Sequence, residues 1–208
     1  MTARLKILSL LFVGVAAAGG FAAALLWTQR QPVMELATGT LLTPSQALPD
    51  FSLIDSQGRS FGPVNLRGHW SLLFFGYTNC PDFCPATLAT LAALQKRLRA
   101  DHAALPQVIF VSVDAKRDTP EQLAKYVPYF DPEFIGLTAV DQPAIEAIAK
   151  QWGVPVMLQP AKNGSYTVDH SSAIFVLDPA GRRVAVLSGP FTVSALQSDL
   201  RRIVTGRA

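Results

Sequence analysis

Cysteine, histidine and charge are all scarce in this 208-residue chain: it has two cysteines, three histidines and only 16% charged residues. Two thiols cannot staple a disulfide-rich scaffold, and a structural zinc site would want a fourth protein ligand, for which the chain has no third cysteine. The first thirty residues contain no acid, and Arg4, Lys6 and Arg30 within them account for the whole net charge of +3. The remainder is formally neutral, which removes the main support for a nucleic-acid partner. Repeats and low-complexity segments are also missing. With half of its residues apolar, the chain has ample material for one packed domain plus an appendage, and its main body does not have the composition of a disordered segment.

The appendage is N-terminal. After the basic "MTARLK" comes an apolar run from Ile7 to Trp27 with Ser9 its only polar side chain. A membrane-spanning helix needs about 20 such residues. Arg4 and Lys6 orient the short N-terminal end toward the cytoplasm, and Trp27 suits an interfacial position. The alternative is a cleaved signal peptide, whose apolar core is usually about 7–15 residues. Both readings put the rest of the chain outside the cytoplasm. No cysteine follows the run to carry a lipoprotein anchor. The expected organisation is therefore a membrane anchor over 1–30, a linker over 31–47 without clear periodicity, and a domain over 48–208.

Within the domain, "DFSLIDSQGRSFG" predicts a β-hairpin with Gly58 in its turn. "SLLFFGY" (71–77) and "QVIFVSVD" (107–114) are continuous apolar runs of strand length, suited to burial on both faces. Leu88, Leu91, Leu94 and Leu98 recur at helical spacing in 85–99, with Pro85 tolerated in the first turn. "TPEQLAKYVPYF" opens a helix at Thr119, with Gln122 placed to complete a capping box. A helix over 141–153 runs from Asp141 to a stop at Gly153. Asn163-Gly164 joins two strand-like arms. Strands over 172–178 and 183–189 and a closing helix over 192–204 complete the order. The alternation predicts an α/β sandwich of thioredoxin type: a central mixed sheet, parallel in its middle and antiparallel at one end, with an N-terminal β-hairpin and an N-terminal transmembrane helix.

In that architecture Cys80 lies in the loop after a central strand and Cys84 in the first helical turn, where backbone N–H groups and the helix dipole favour thiolate. Three readings follow. A structural disulfide would close so small a ring that it constrains little of the unfolded chain. A redox-active dithiol suits the location, although thioredoxin-like enzymes space these cysteines by two residues, not three. A metal site is the third, because two thiolates and an imidazole make a soft set suited to copper. Of the histidines, His69 lies before the first core strand, away from the cysteine loop, and His102 at a helix end. His170, in "TVDHSSAIF" just ahead of a buried strand, is placed to face the cysteine loop.

Together "GYTNCPDFCP", "VSVDAKRDTPEQLAKYV" and "VDHSSAIFVLDPAG" resemble the Sco/SenC family of membrane-anchored copper proteins, over roughly Leu48 to Val204. The family often has proline where this chain has Ala115, a loop detail that leaves the ligand positions intact. The resemblance implies a thioredoxin-like fold binding Cu(I) and Cu(II) through Cys80, Cys84 and His170. It implies a metallochaperone that helps assemble the CuA centre of cytochrome c oxidase subunit II. A periplasmic copper donor and a thioredoxin-like reductant are further implied partners. The absence of an obvious transit peptide suggests a bacterium, with a single span in the inner membrane and the C-terminal domain in the periplasm.

The chemistry agrees with this. Two thiolates and an imidazole suit near-trigonal Cu(I), while Cu(II) adds a ligand, and oxidising the dithiol removes both sulfur donors. Asp169 is a candidate to orient His170, and Asp82 to tune the loop or touch a partner. Pro81 and Pro85 stiffen the loop. A thiol–disulfide oxidoreductase acting on the CuA cysteines is the rival reading, since dithiol exchange has no need of His170. A peroxiredoxin-like peroxidase lacks its usual T-x-x-C spacing here. A redox or copper sensor would want an output domain.

Overall fold

A strand covered by helices on both faces is apolar at most positions, and the runs at 72–76 and 108–111 belong to such strands. The computed structural model describes residues 20, 35–160 and 165–206. In chain order the elements are β1 (Gly39–Ala47), β2 (Leu53–Asp55), β3 (Ser60–Phe61), β4 (Ser71–Gly76), α1 (Phe83–Ala100) and β5 (Gln107–Ser112). Then come α2 (Pro120–Tyr126), β6 (Ile135–Thr138), α3 (Gln142–Gln151), β7 (Val156–Pro160), β8 (Tyr166–His170), β9 (Ile174–Leu177), β10 (Arg182–Leu187) and α4 (Val193–Thr205).

Among the described residues there is one eight-stranded sheet, in the order β1-β10-β9-β4-β5-β6-β2-β3, and a separate β7–β8 pair. β4, β5 and β6 are parallel, and the other pairings are antiparallel. Successive side chains of β4 point to opposite faces. Phe74 meets Phe110, ring centroids 6.1 Å apart, while Phe75 packs edge-on against Trp152 at 5.7 Å and Phe175 at 5.9 Å. Leu88, Leu91, Leu94 and Leu98 of α1 are all buried, so the predicted helical stripe is the face turned to the core.

Local signals decide the element ends. The Thr119 hydroxyl accepts from the Gln122 N–H and Asp141 from the Ala144 N–H, each satisfying a donor that a helix start leaves free. Gly58 turns the β2–β3 hairpin at φ +78°. The Asn163-Gly164 turn lies outside the described residues, though its two arms pair as β7 and β8.

Two expectations change. The linker expected over 31–47 becomes sheet from Gly39 onward, so the domain begins earlier than residue 48. β1 pairs on one side only, with β10, and its register shifts between Leu41 and Gln46, around Pro44. An edge strand with a proline shows no clean alternation, which is why sequence patterning misses it. The segment ahead of it is fixed by Asp199 of α4, whose buried carboxylate accepts from the N–H groups of Ala37 (2.7 Å) and Thr38 (2.8 Å) and from the Thr38 hydroxyl (2.6 Å). β6 was also unforeseen, being four residues between two better signals. The expected membrane span over residues 7–27 lies outside the described residues. Among those described, no helix is long and apolar enough to cross a membrane.

Candidate metal centre

Because β4 and β9 are antiparallel neighbours, the end of one strand lies beside the beginning of the other; Phe74 pairs with Ile174. The loop after β4 carries Cys80, α1 carries Cys84 in its first turn, and β8 ends at His170 just before β9. Topology thus brings the three predicted donors to one end of the sheet. The Cys84 N–H donates to Cys80 Sγ at 3.4 Å, and Cys84 Sγ lies 3.6 Å from His170 Nε2. Both cysteines are free thiols; Cys84 is fully buried and Cys80 half-buried.

His170 is oriented by its own neighbour. Nδ1 lies 2.8 Å from the Ser171 carbonyl oxygen, which can only accept, so Nδ1 carries the proton. Nε2 is thereby turned toward the sulfurs. Edge contacts to Tyr77 (5.8 Å) and Phe74 (6.3 Å) fix the ring plane.

Asp169 does not orient His170. Its carboxylate accepts from Gln159 Nε2 at 2.9 Å, across the β7–β8 pair. Adjacent residues of a strand face opposite ways, so a neighbour in sequence is the wrong place to seek that partner. Asp82 precedes α1 with an exposed carboxylate that makes no cap hydrogen bond. It touches the site through its backbone N–H, which donates to Cys80. His69 and His102 are exposed.

The two thiols are electrostatically unlike. A hydrogen bond from the Cys84 thiol is the main force drawing Cys80 down to about 4; His170 and the N–H groups of Cys84 and Asp82 assist, against burial. Cys84 is pushed far upward, because its proton is held in that bond and its sulfur is buried. The half-buried Cys80 is therefore biased toward thiolate and the buried Cys84 toward thiol. Among the described residues no three His, Cys, Asp or Glu side chains stand as a closed metal cage. The donor chemistry nonetheless fits a soft metal: two sulfurs able to bind as thiolates and an imidazole nitrogen facing them.

Sequence reasoning did not foresee how the donors are supported. Gly76 makes room for Cys84: a Cβ there would meet Phe110 Cε2 at 2.5 Å and Cys84 Sγ at 3.1 Å. Asp118, also fully buried, accepts from the Thr78 N–H (2.8 Å) and hydroxyl (2.6 Å) and from the Ser112 hydroxyl (2.5 Å). Burial is the dominant influence on its carboxyl and raises its pKa. Arg117 pairs with buried Asp114, donates to the Tyr166 carbonyl at 3.1 Å, and lies over the Tyr166 ring at 3.8 Å. The "RDTP" motif flagged these positions without revealing what they hold.

Comparison with known proteins follows the same residues. The SCO1/SenC family profile matches residues 40–205. A Stutzerimonas stutzeri protein named as copper-binding is 33% identical over 175 residues, 84% of this chain and 85% of its own. The mitochondrial SCO2 homolog of Bos taurus is 33% identical over 201 residues, 96% of this chain and 75% of its own. The crystal structure of Arabidopsis thaliana ScoI with copper bound matches with a TM-score of 0.72 and 32% identity, covering 76% of this chain and 98% of that one.

Proposed function

Since this chain belongs to the SCO1/SenC family, we propose that it is a copper metallochaperone that binds the ion through Cys80, Cys84 and His170. Its role is to assist assembly of the CuA centre in subunit II of cytochrome c oxidase, from the periplasmic side of a bacterial inner membrane. The observation that carries the reading is His170 Nε2, 3.6 Å from Cys84 Sγ, on a ring held by the Ser171 carbonyl. A dithiol built only for exchange has no use for an oriented imidazole there. Copper supplies the cargo. The protein contributes a thiolate at Cys80 that needs no deprotonation near neutral pH, a buried sulfur at Cys84 shielded from water, and a nitrogen donor on a fixed ring.

Copper titration of the reduced full-length chain tests this. The wild type is expected to take up one ion and to show intense thiolate-to-Cu(II) charge-transfer absorption; His170→Ala is expected to bind more weakly with an altered band. Unchanged binding in the variant would sink the three-donor assignment.

A second reading is favoured by the asymmetry of the thiols. An accessible thiolate beside a buried thiol is the arrangement of an attacking and a resolving sulfur. It supports a thiol–disulfide reductase acting on the CuA-site cysteines. Reduction of an oxidised CuA peptide at wild-type rate by His170→Ala would favour that activity over metal delivery.

A further inference from the structure

The turn that follows β5, Val113–Asp118, touches both halves of the site without contributing a donor. It is itself rigid. Gln142 of α3 donates to the Val113 carbonyl and accepts from the Ala115 N–H, both at 3.0 Å, and the Asp114 N–H donates to Ser112 Oγ at 3.0 Å. The Asp118 N–H closes the turn onto the Asp114 carbonyl at 2.9 Å. β4 and β5 end side by side, with Gly76 paired to Ser112 and the Val113 N–H donating to the Gly76 carbonyl at 2.8 Å. The turn therefore stands against the loop that leaves β4.

Two separate fastenings leave it. Through Asp118, three neutral donors, two of them on Thr78, fix the segment two residues ahead of Cys80. A buried carboxylate without a cationic partner is costly, and these hydrogen bonds are what sustain it. Through Asp114 and Arg117, the turn grips β8, and Arg117 also lies more distantly over the Tyr77 ring at 5.7 Å. The Tyr166 hydroxyl donates to Asp114 Oδ1 at 2.8 Å, and Arg117 reaches the Tyr166 carbonyl while stacking on its ring. Tyr166 begins the strand that ends at His170.

We propose that this turn sets the two halves of the site through different side chains: Asp118 is the main positioning residue for the cysteine loop, and Arg117 for the strand that carries His170. The assignment rests on the three-donor reading only for its effect on copper. Its primary tests need no metal.

The experiment uses the full-length chain with Asp118→Asn, Thr78→Val, Thr78→Ser and Arg117→Lys, each checked for native circular dichroism. The first readout, without metal, is the equilibrium in which the dithiol and glutathione disulfide exchange to give the Cys80–Cys84 disulfide and two reduced glutathiones. This step balances two electrons and two protons. Asp118→Asn frees the loop and lowers the equilibrium constant about tenfold or more, since alignment of the two sulfurs sets it. Thr78→Val acts in the same direction by a smaller factor, because its backbone bond survives. Thr78→Ser restores the wild-type value, and Arg117→Lys, whose only contact with the cysteine loop is the distant one to Tyr77, changes it far less than Asp118→Asn.

The second readout is amide hydrogen exchange over Tyr166–His170. It accelerates in Arg117→Lys, which keeps the charge but loses the planar fork and the stacking, and stays at wild type in Asp118→Asn. Copper(I) affinity, read by competition with a chelator, falls in both variants. A wild type that takes no copper would defeat the metallochaperone reading and leave the first two readouts to decide this one. Variants that perturb both readouts alike, or neither, would overturn the proposal.

Discussion

Gly76→Ala is the sharpest probe of how tightly the site is built. The added methyl would sit 2.5 Å from Phe110 Cε2 and 3.1 Å from both Phe74 Cε1 and Cys84 Sγ. None of these can retreat easily: both phenyl rings are fully buried, and Cys84 lies in the first turn of α1. The backbone is equally fixed, being paired to Ser112 and bonded through its carbonyl to the Val113 N–H. Forcing a methyl into so closed a space costs about 1–3 kcal/mol. For a domain of this size that corresponds to a melting temperature lower by roughly 2–12 °C. The displacement has a direction, because pushing Cys84 Sγ changes its separation from His170 Nε2 and so weakens copper binding beyond what lost stability explains. Scanning calorimetry of the metal-free chain and copper titration of the folded variant measure the two effects separately. A variant that melts with the wild type and binds copper equally well would refute the packing argument.

Other expectations follow from the charged and buried groups. With Cys80 drawn down to about 4, iodoacetamide should alkylate it readily at mildly acid pH in the reduced, metal-free protein, where an ordinary thiol near 8.5 reacts slowly; mass mapping should find Cys84 unmodified, and equal labelling would reverse the assignment. Asp131 is held below the usual carboxylate range: burial opposes this, but Arg99 and the Glu133 N–H outweigh it. Its stabilising contribution is therefore present above the unfolded pKa of about 3.9 and is lost as pH falls through the lower folded value. Asp131→Asn should accordingly destabilise the protein near neutral pH and lose that penalty in strong acid, as chemical denaturation at both pH values would show. Asp199→Ala removes three hydrogen bonds to residues 37 and 38, so a loss of about 2 kcal/mol and faster proteolysis near Glu35 are expected; protection equal to wild type would contradict it.

The strands buried on both faces were readable because their apolar runs have no alternation, and the helices because Thr119, Asp141 and Gly153 are strong end signals. The three candidate donors were readable because their residue types are rare in this chain and their motifs specific. β1 was not, since an edge strand interrupted by proline carries neither period. The partner of Asp169 was misjudged for a geometric reason, as β8 sends it away from His170. The Asp118–Thr78 bond joins residues forty apart, and nothing local in either segment announces it.

The antiparallel pairing of β4 with β9 has a consequence for the unfolded chain. Cys84 and His170 stand eighty-six residues apart along the backbone and meet only when those strands pair. An ion held by both is a cross-link closing a long loop, one that no extended chain can supply. Loading and folding then become a single linked equilibrium, in which resistance to heat rises with the free concentration of the ion and falls again when a tighter acceptor takes it away.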